Sequence, residues 1–178
     1  GYALSMRGIA REVATAFGVA FRDPAEELAN LPAPATDVAP QDSGSEDLEA
    51  CPLFTMRTIV DFDPTRSSPA WMQQRLTACG MRPVSLAVDV TNYVMLELGR
   101  PLHVYDLEKL RGGIGVRFGT KGERLKLLNE QVVDLDESVL CIVDDSGPIG
   151  LAGIMGGDST KAELQTRSIF LESAFFFP

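Results

Sequence analysis

Residues 111–143, RGGIGVRFGTKGERLKLLNEQVVDLDESVLCIV, carry the pattern that decides the fold. Short runs at Ile114–Phe118, Arg124–Leu128, Val132–Leu135 and Val139–Val143 each have the length of one strand, and turn-forming residues separate them at Gly119–Gly122 and Asn129–Gln131. Strands this short, joined this tightly, predict antiparallel sheet. The second half of the chain is therefore β-rich.

Moving outward toward the N-terminus, the signals become helical. Ser67-Ser68-Pro69 offers a cap and a first-turn proline ahead of Met72, Leu76 and Cys79, and Gly80 closes the segment. Val84 to Val90 is short and apolar enough for a buried strand that runs into Thr91-Asn92, where Thr91 can cap a short helix through Leu98, ended by Gly99 and Pro101. Phe54 to Phe62 predicts another strand. Residues 5–17 place Met6, Ile9, Ala10, Val13 and Phe17 at helical spacing, with Ser5 as N-cap and Gly18 just past the end. That amphipathic helix needs a partner for its apolar stripe. Helices early and strands late predict an α+β fold: mixed helices and largely antiparallel strands around one core, with an N-terminal helix and an acidic linker.

Composition sets the class. The 178 residues are 45% apolar and 23% charged, ordinary globular usage that excludes disorder throughout and collagen-like architecture. No run approaches the roughly 18 apolar residues of a membrane span, and the N-terminus lacks a secretory signal, so a soluble cytoplasmic protein is expected. The net charge of -9 is unevenly spread: residues 22–51 carry one Arg and eight acids, together with four of the eleven prolines. This stretch is expected to be a flexible linker between a helix at residues 1–21 and a body at residues 52–178. The body is mildly acidic, so it lacks the basic footprint of a protein that grips nucleic acid by its phosphates. Cys51, Cys79 and Cys141 are widely spaced, which predicts free, mostly buried thiols and neither a disulfide framework nor a paired metal site.

Few residues offer chemistry. With a single histidine, a structural zinc site is excluded, and any serine or cysteine triad would have to run through His103. His103 follows a helix C-terminus and reads either as a loop histidine bonded to backbone or as a group facing a site. Its near-neutral pKa and Asp106 three residues on keep the second possibility in view. Gly112-Gly113-Ile114-Gly115 and Gly156-Gly157-Asp158-Ser159-Thr160-Lys161 both lack the context of a phosphate loop. The small residues of Gly150–Gly157 permit close backbone approach, to another strand or to a ligand. Glu172 lies in an alternating stretch that could point it inward or outward, Arg82 reads by itself as a solvated charge, and Phe175-Phe176-Phe177 reads as core or as a docking surface.

Taken together, Ser68-Pro69-x-Trp71, Gly80-Met81-Arg82-Pro83, Val88-Asp89-Val90-Thr91-Asn92-Tyr93-Val94-Met95, Glu97-Leu98-Gly99-x-Pro101-Leu102-His103, Ala152–Gly157 and Leu171-Glu172-Ser173-Ala174 resemble the editing domain of bacterial phenylalanyl-tRNA synthetase beta subunits. The resemblance covers residues 52–178 in order, and Leu4 to Ala14 resembles the segment preceding that domain. It implies an excised piece of a longer subunit. It further implies hydrolysis of tyrosine wrongly esterified to tRNA(Phe), within an enzyme that charges tRNA(Phe) with phenylalanine.

A pocket for phenylalanine rejects the added hydroxyl of tyrosine by only about 10²-fold, whereas a site built to bond that hydroxyl discriminates by roughly 10⁴ or more. By resemblance, Glu172 takes the phenol, and Ala152, Gly153 and Gly156 form the wall beside the ring. Thr91 and Asn92 stand at a helix N-terminus suited to a developing oxyanion, His103 holds or partly deprotonates water, and Arg82 lies near the terminal adenosine. The implied partners are the 3′ end of tRNA(Phe), the alpha subunit and the tyrosine moiety, with no membrane. No metal or cofactor is expected in this region, and the ATP and magnesium of the full synthetase are used elsewhere. The rival readings are a non-catalytic assembly and RNA-docking platform, and a protein-binding module built on Phe175–Phe177.

Overall fold

In the computed structural model, which describes residues 2–28, 43–45 and 49–177, the chain divides into a helical unit and a β-rich unit. The helical unit contains α1 (Met6–Phe17), α2 (Pro24–Leu28), α3 (Ala70–Ala78) and α4 (Leu86–Leu98). α1 has the ends its sequence predicts: the Ser5 side chain accepts from the Gly8 N–H, and Gly18 ends the helix in the left-handed region at φ 63°. Arg7 Nε donates to Asp23 Oδ1 at 2.8 Å, and this bond holds the Asp23 carboxyl below its usual range. The apolar stripe of α1 is not covered. Met6, Ile9, Val13 and Phe17 stay exposed, and the buried positions are Gly8 and Ala14.

Two expectations fail in this unit, for a shared reason. Pro69, not a serine, occupies the cap position of α3, and the hydroxyl of Ser68 donates instead to Asp89 Oδ2. The expected strand Val84–Val90 is absent, because α4 starts at Leu86 behind the N-cap Ser85. Apolar periodicity over so few residues does not separate a strand from a buried helical turn. Asp89 tips the balance: it also accepts from the Val84 N–H at 2.8 Å, pinning the approach loop onto the first turn of the helix. Gly99 ends α4 as expected, at φ 74°.

Among the described residues the β-rich unit has ten strands: β1 (Ser43–Ser45), β2 (Leu53–Ile59), β3 (His103–Asp106), β4 (Ile114–Phe118), β5 (Arg124–Lys126), β6 (Val132–Asp134), β7 (Leu140–Asp144), β8 (Gly147–Leu151), β9 (Met155–Gly156) and β10 (Ile169–Phe175). The runs read within residues 111–143 are present as β4 to β7. One sheet has the order β1-β4-β7-β8-β9, a second the order β2-β10-β3, and β5 pairs with β6. All pairings are antiparallel except that of β1 with β4, so the fold is the expected α+β type. Of the expected linker at residues 22–51, residues 29–42 and 46–48 lie outside the described residues, and α2 and β1 fall within the remainder.

The interior of this unit forms two apolar clusters. One gathers Tyr105, Ile114, Val116, Ile149 and Phe170, the other Leu125, Leu127, Leu135, Cys141 and Val143. Cys51 and Cys141 are buried and outside any disulfide, while Cys79 is exposed. No helix among the described residues is long and apolar enough to cross a membrane.

Candidate functional site

β10 is the middle strand of its sheet, and its residues Ile169 to Glu172 are paired on both sides. Glu172 stands opposite His103 on β3 and Met56 on β2, and Phe170 stands opposite Tyr105 and Thr58. Directly opposed residues point to the same face, and so do residues two apart along a strand. His103, Tyr105, Phe170 and Glu172 therefore share one face. Tyr105 is fully buried and donates its phenolic proton to Glu172 Oε2 at 2.7 Å. The His103 and Tyr105 rings meet edge to face with centroids 4.4 Å apart.

Burial sets the protonation of all three polar groups. Desolvation raises the Glu172 carboxyl above its ordinary value, and the bond from Tyr105 pulls it partly back. Desolvation also raises the Tyr105 phenol well above its ordinary value, reinforced by the nearby carboxylate, so the shared proton stays on the tyrosine. Burial pushes His103 down to about 4. The imidazole is thus neutral at physiological pH, and its buried Nε2 has no hydrogen-bond partner among the described residues. Leaving such an atom unpaired costs about 1–3 kcal/mol, a penalty that a bound water or ligand hydroxyl would remove.

Small residues make the face possible. A Cβ on Gly156 would lie 2.3 Å from His103 Cε1 and 2.4 Å from Nε2, so the imidazole occupies the space that any side chain there would need. Gly153, with φ 69°, carries the chain over Phe176, whose ring would be 3.1 Å from an added Cβ. Ala152 is half-buried against the cluster around Tyr105. The close approach expected of Gly150–Gly157 is present: it seats the histidine on Gly156, and Phe176 beneath Gly153. The aromatic run divides in the same way: Phe176 packs inward, while Phe175 and Phe177 meet each other edge to face and stay exposed.

Of the residues singled out in the sequence, His103, Gly156 and Glu172 come together on or beside one face of the β-rich unit. His103 belongs to strand β3 rather than to a loop, and Glu172 points inward. Arg82, Thr91 and Asn92 belong to the helical unit. Arg82 is exposed, Thr91 is buried and Asn92 is half-buried.

Two mechanistic expectations need correction. Thr91 and Asn92 lie inside α4, not at its N-terminus, and the Thr91 hydroxyl donates to the Val88 carbonyl at 2.8 Å. The helix-terminus argument for an oxyanion site at these residues therefore fails. Asp106 does not orient His103, because the strand alternation turns it to the opposite face. Its carboxylate there accepts from the Glu108 N–H and the Thr166 hydroxyl.

Tyr105 is the residue that sequence reasoning missed. The signal was available: His103-x-Tyr105 has the two-residue period of one strand face, visible once the segment is recognised as a strand. No group of three or more His, Cys, Asp or Glu suited to a metal ion occurs among the described residues.

Comparison with known proteins gives a consistent set of neighbours. Residues 50–178 match the family described as the B3/4 domain. The whole chain is 51% identical to part of the phenylalanine–tRNA ligase beta subunit of Streptomyces avermitilis, spanning 21% of that protein. Over 99% of the chain it is 49% identical to the corresponding subunit of Thermobifida fusca, again 21% of its length. The chain therefore spans about a fifth of the length of these curated relatives. An N-terminal fragment of the phenylalanyl-tRNA synthetase beta subunit of Pyrococcus horikoshii superposes with a TM-score of 0.55, over 96% of this chain and 51% of that one. At 14% sequence identity, that likeness speaks to the fold alone.

Proposed function

Because the chain belongs to the B3/4 domain family, we propose that it is the editing region of a phenylalanine–tRNA ligase beta subunit and hydrolyses tyrosine wrongly esterified to tRNA(Phe). One observation carries the proposal: a buried carboxylate, Glu172, stands opposite a half-buried, neutral histidine whose Nε2 is itself buried, across one strand pair. A tyrosine ring brought to this face would offer its phenol to Glu172. Phenylalanine would leave the ionised carboxylate short of a donor, a penalty of about 1–3 kcal/mol and more for a charged group. Gly156 and the Ala152-Gly153 backbone would form the wall beside the ring.

The hydrolytic step follows from the state of His103. A group titrating at about 4 is a weak general base at neutral pH, since proton transfer is most efficient when the pKa matches the working pH. Its neutral Nε2 is well suited to hold a water by accepting a hydrogen bond from it, with the ribose hydroxyl of the terminal adenosine as a further group that aligns it. Hydroxide equivalent adds to the ester carbonyl, the tetrahedral intermediate collapses, and tyrosine leaves the ribose oxygen, which takes up the proton. Arg82, Thr91 and Asn92 of the helical unit stay proposed contacts of the tRNA end by family resemblance alone, without the helix-terminus assistance first expected. The tRNA 3′ end and the alpha subunit are the proposed partners. The mildly acidic body fits a site visited by the RNA end and gripped elsewhere.

The test is deacylation of Tyr-tRNA(Phe) by the full-length beta subunit assembled with its alpha subunit. Glu172→Ala and His103→Ala should each abolish clearance of the tyrosine ester while phenylalanine charging continues. Unchanged clearance in both variants would make the region a docking platform instead.

A further inference from the structure

Tyr105 carries a hydroxyl that its packing does not require. The ring fills the apolar cluster as a phenylalanine would, fully buried against Phe170. Its oxygen nevertheless reaches Glu172 Oε2 at 2.7 Å. The strand register fixes where the Glu172 side chain starts, opposite His103 and Met56, but three rotatable bonds separate that point from the carboxylate. A donor on a rigid ring, two residues along the same face from His103, supplies the missing constraint. The Tyr105 bond is the only hydrogen bond to this side chain among the described residues. A carboxylate has two oxygens and about four acceptor positions, so occupying Oε2 leaves Oε1 able to take a second phenol.

We infer that Tyr105 is a positioning residue for side-chain selection: its hydroxyl holds one oxygen of Glu172 and thereby presents the other to the ring of the esterified amino acid. This rests on the editing function proposed above. The carboxylate would read tyrosine as a second phenol beside the one it already holds.

The same bond favours the ionised form of Glu172, which is the state that rejects phenylalanine. Burial drives its carboxyl upward and Tyr105 opposes that rise. The groups sharing the face of Glu172 are His103 and Tyr105 from β3 and Met56, Phe54 and Thr58 from β2, with Gly156 of β9 against the His103 ring, so Tyr105 and the neutral His103 are the titratable ones. The selective, ionised form exists above the folded pKa of Glu172 and is lost as pH falls through it. Without the Tyr105 hydroxyl that pKa climbs, and selectivity fails at a higher pH.

The experiment measures deacylation of Tyr-tRNA(Phe) and Phe-tRNA(Phe) by the full-length, assembled protein over roughly pH 5–8. Tyr105→Phe should lower the preference for the tyrosine ester about 10-fold and move the acid midpoint of that preference upward. In a Glu172→Gln background the same substitution should change the preference by less than about 2-fold, since Tyr105 acts through the carboxylate. A 3-fluorotyrosine at position 105 preserves shape and hydroxyl while strengthening the donor, and should shift the midpoint downward, so the test survives if Tyr105→Phe does not fold. An unmoved preference and midpoint in both variants, or an equal loss in both backgrounds, would reduce Tyr105 to packing. If the unaltered protein shows no preference for the tyrosine ester, the editing function itself is wrong and the inference goes with it. A preference present in the unaltered protein but untouched by either variant overturns the inference alone.

Discussion

Asp89 in the helical unit and Glu172 in the β-rich unit are both buried acids, 2% and 7% exposed, yet their surroundings differ in kind. Asp89 has both oxygens engaged by its own chain, one by the Ser68 hydroxyl and the other by the Val84 N–H. Glu172 has one oxygen engaged, by Tyr105. A carboxylate with both oxygens bonded locally holds the fold together, as Asp89 does by joining the start of α3 to the approach to α4. One that is buried and half-used has been kept out of water without full compensation, and that is the condition in which a ligand donor counts most. The contrast fits a structural role for the helical acid and the recognition role proposed for the sheet acid, and three experiments press on it.

The largest effect is expected at Gly156, where the β-rich face is tightest. Gly156→Val would place a branched side chain on the His103 ring, 2.3 Å from Cε1 at its first carbon. Overpacking of this kind costs about 3 kcal/mol or more when the neighbour is itself buried. Hydrogen exchange in the full-length protein should show faster opening of β3 and β10, with clearance of the tyrosine ester lost, while the amides around Asp89 keep their protection. Undisturbed β3 amides would show that the histidine does not sit against this glycine.

Acid should also separate the two units, because the single histidine lies in the β-rich one. His103 titrates at an ordinary 6.5 when unfolded and at about 4 when folded. Between those values the unfolded chain binds a proton that the folded chain refuses, so stability is highest above 6.5 and declines as pH falls toward about 4. The loss approaches roughly 3 kcal/mol. Glu172 has the opposite sign: its raised carboxyl contributes stability below the ordinary carboxylate range, and that contribution disappears as pH rises through the folded value. His103→Gln removes the first effect and leaves the second. Protection of β10, corrected for the intrinsic pH dependence of exchange, should fall on acidification in the unaltered protein and hold or rise in the variant. Parallel decline in both would place the acid sensitivity elsewhere.

The two units were not equally legible in the sequence. β4 to β7 stand out because turn residues punctuate short apolar runs, and α1 stands out because Ser5 and Gly18 mark its ends. α4 was hidden because Val84–Val90 is apolar on nearly every side, and the buried Asp89 in its first turn is bonded by Ser68, a partner 21 residues away in sequence. The site was half visible. His103, Gly156 and Glu172 were reached through family motifs, but their chemistry depends on pairing between β3 and β10, which local periodicity does not reveal. Tyr105 was missed for the same cause, since its partner Glu172 is 67 residues away.

The smallest effect is the most discriminating, because it sets the two acids directly against each other. Asp89→Ala strands the Ser68 hydroxyl and the Val84 N–H together, and should cost about 2 kcal/mol or more, read as faster exchange at the start of α4. Glu172→Gln has no such consequence. The amide oxygen still accepts from Tyr105, the side-chain volume is unchanged, and a charge that burial disfavours is removed, so stability should move by less than about 1 kcal/mol in either direction. Function should move the other way round. Asp89→Ala should leave the ratio of tyrosine-ester to phenylalanine-ester clearance near that of the unaltered protein, while Glu172→Gln should collapse the ratio, because a neutral amide imposes no charged-group penalty on a bound phenylalanine ring. A large stability loss in Glu172→Gln with an intact ratio would reverse the assignment and make the sheet acid the structural one.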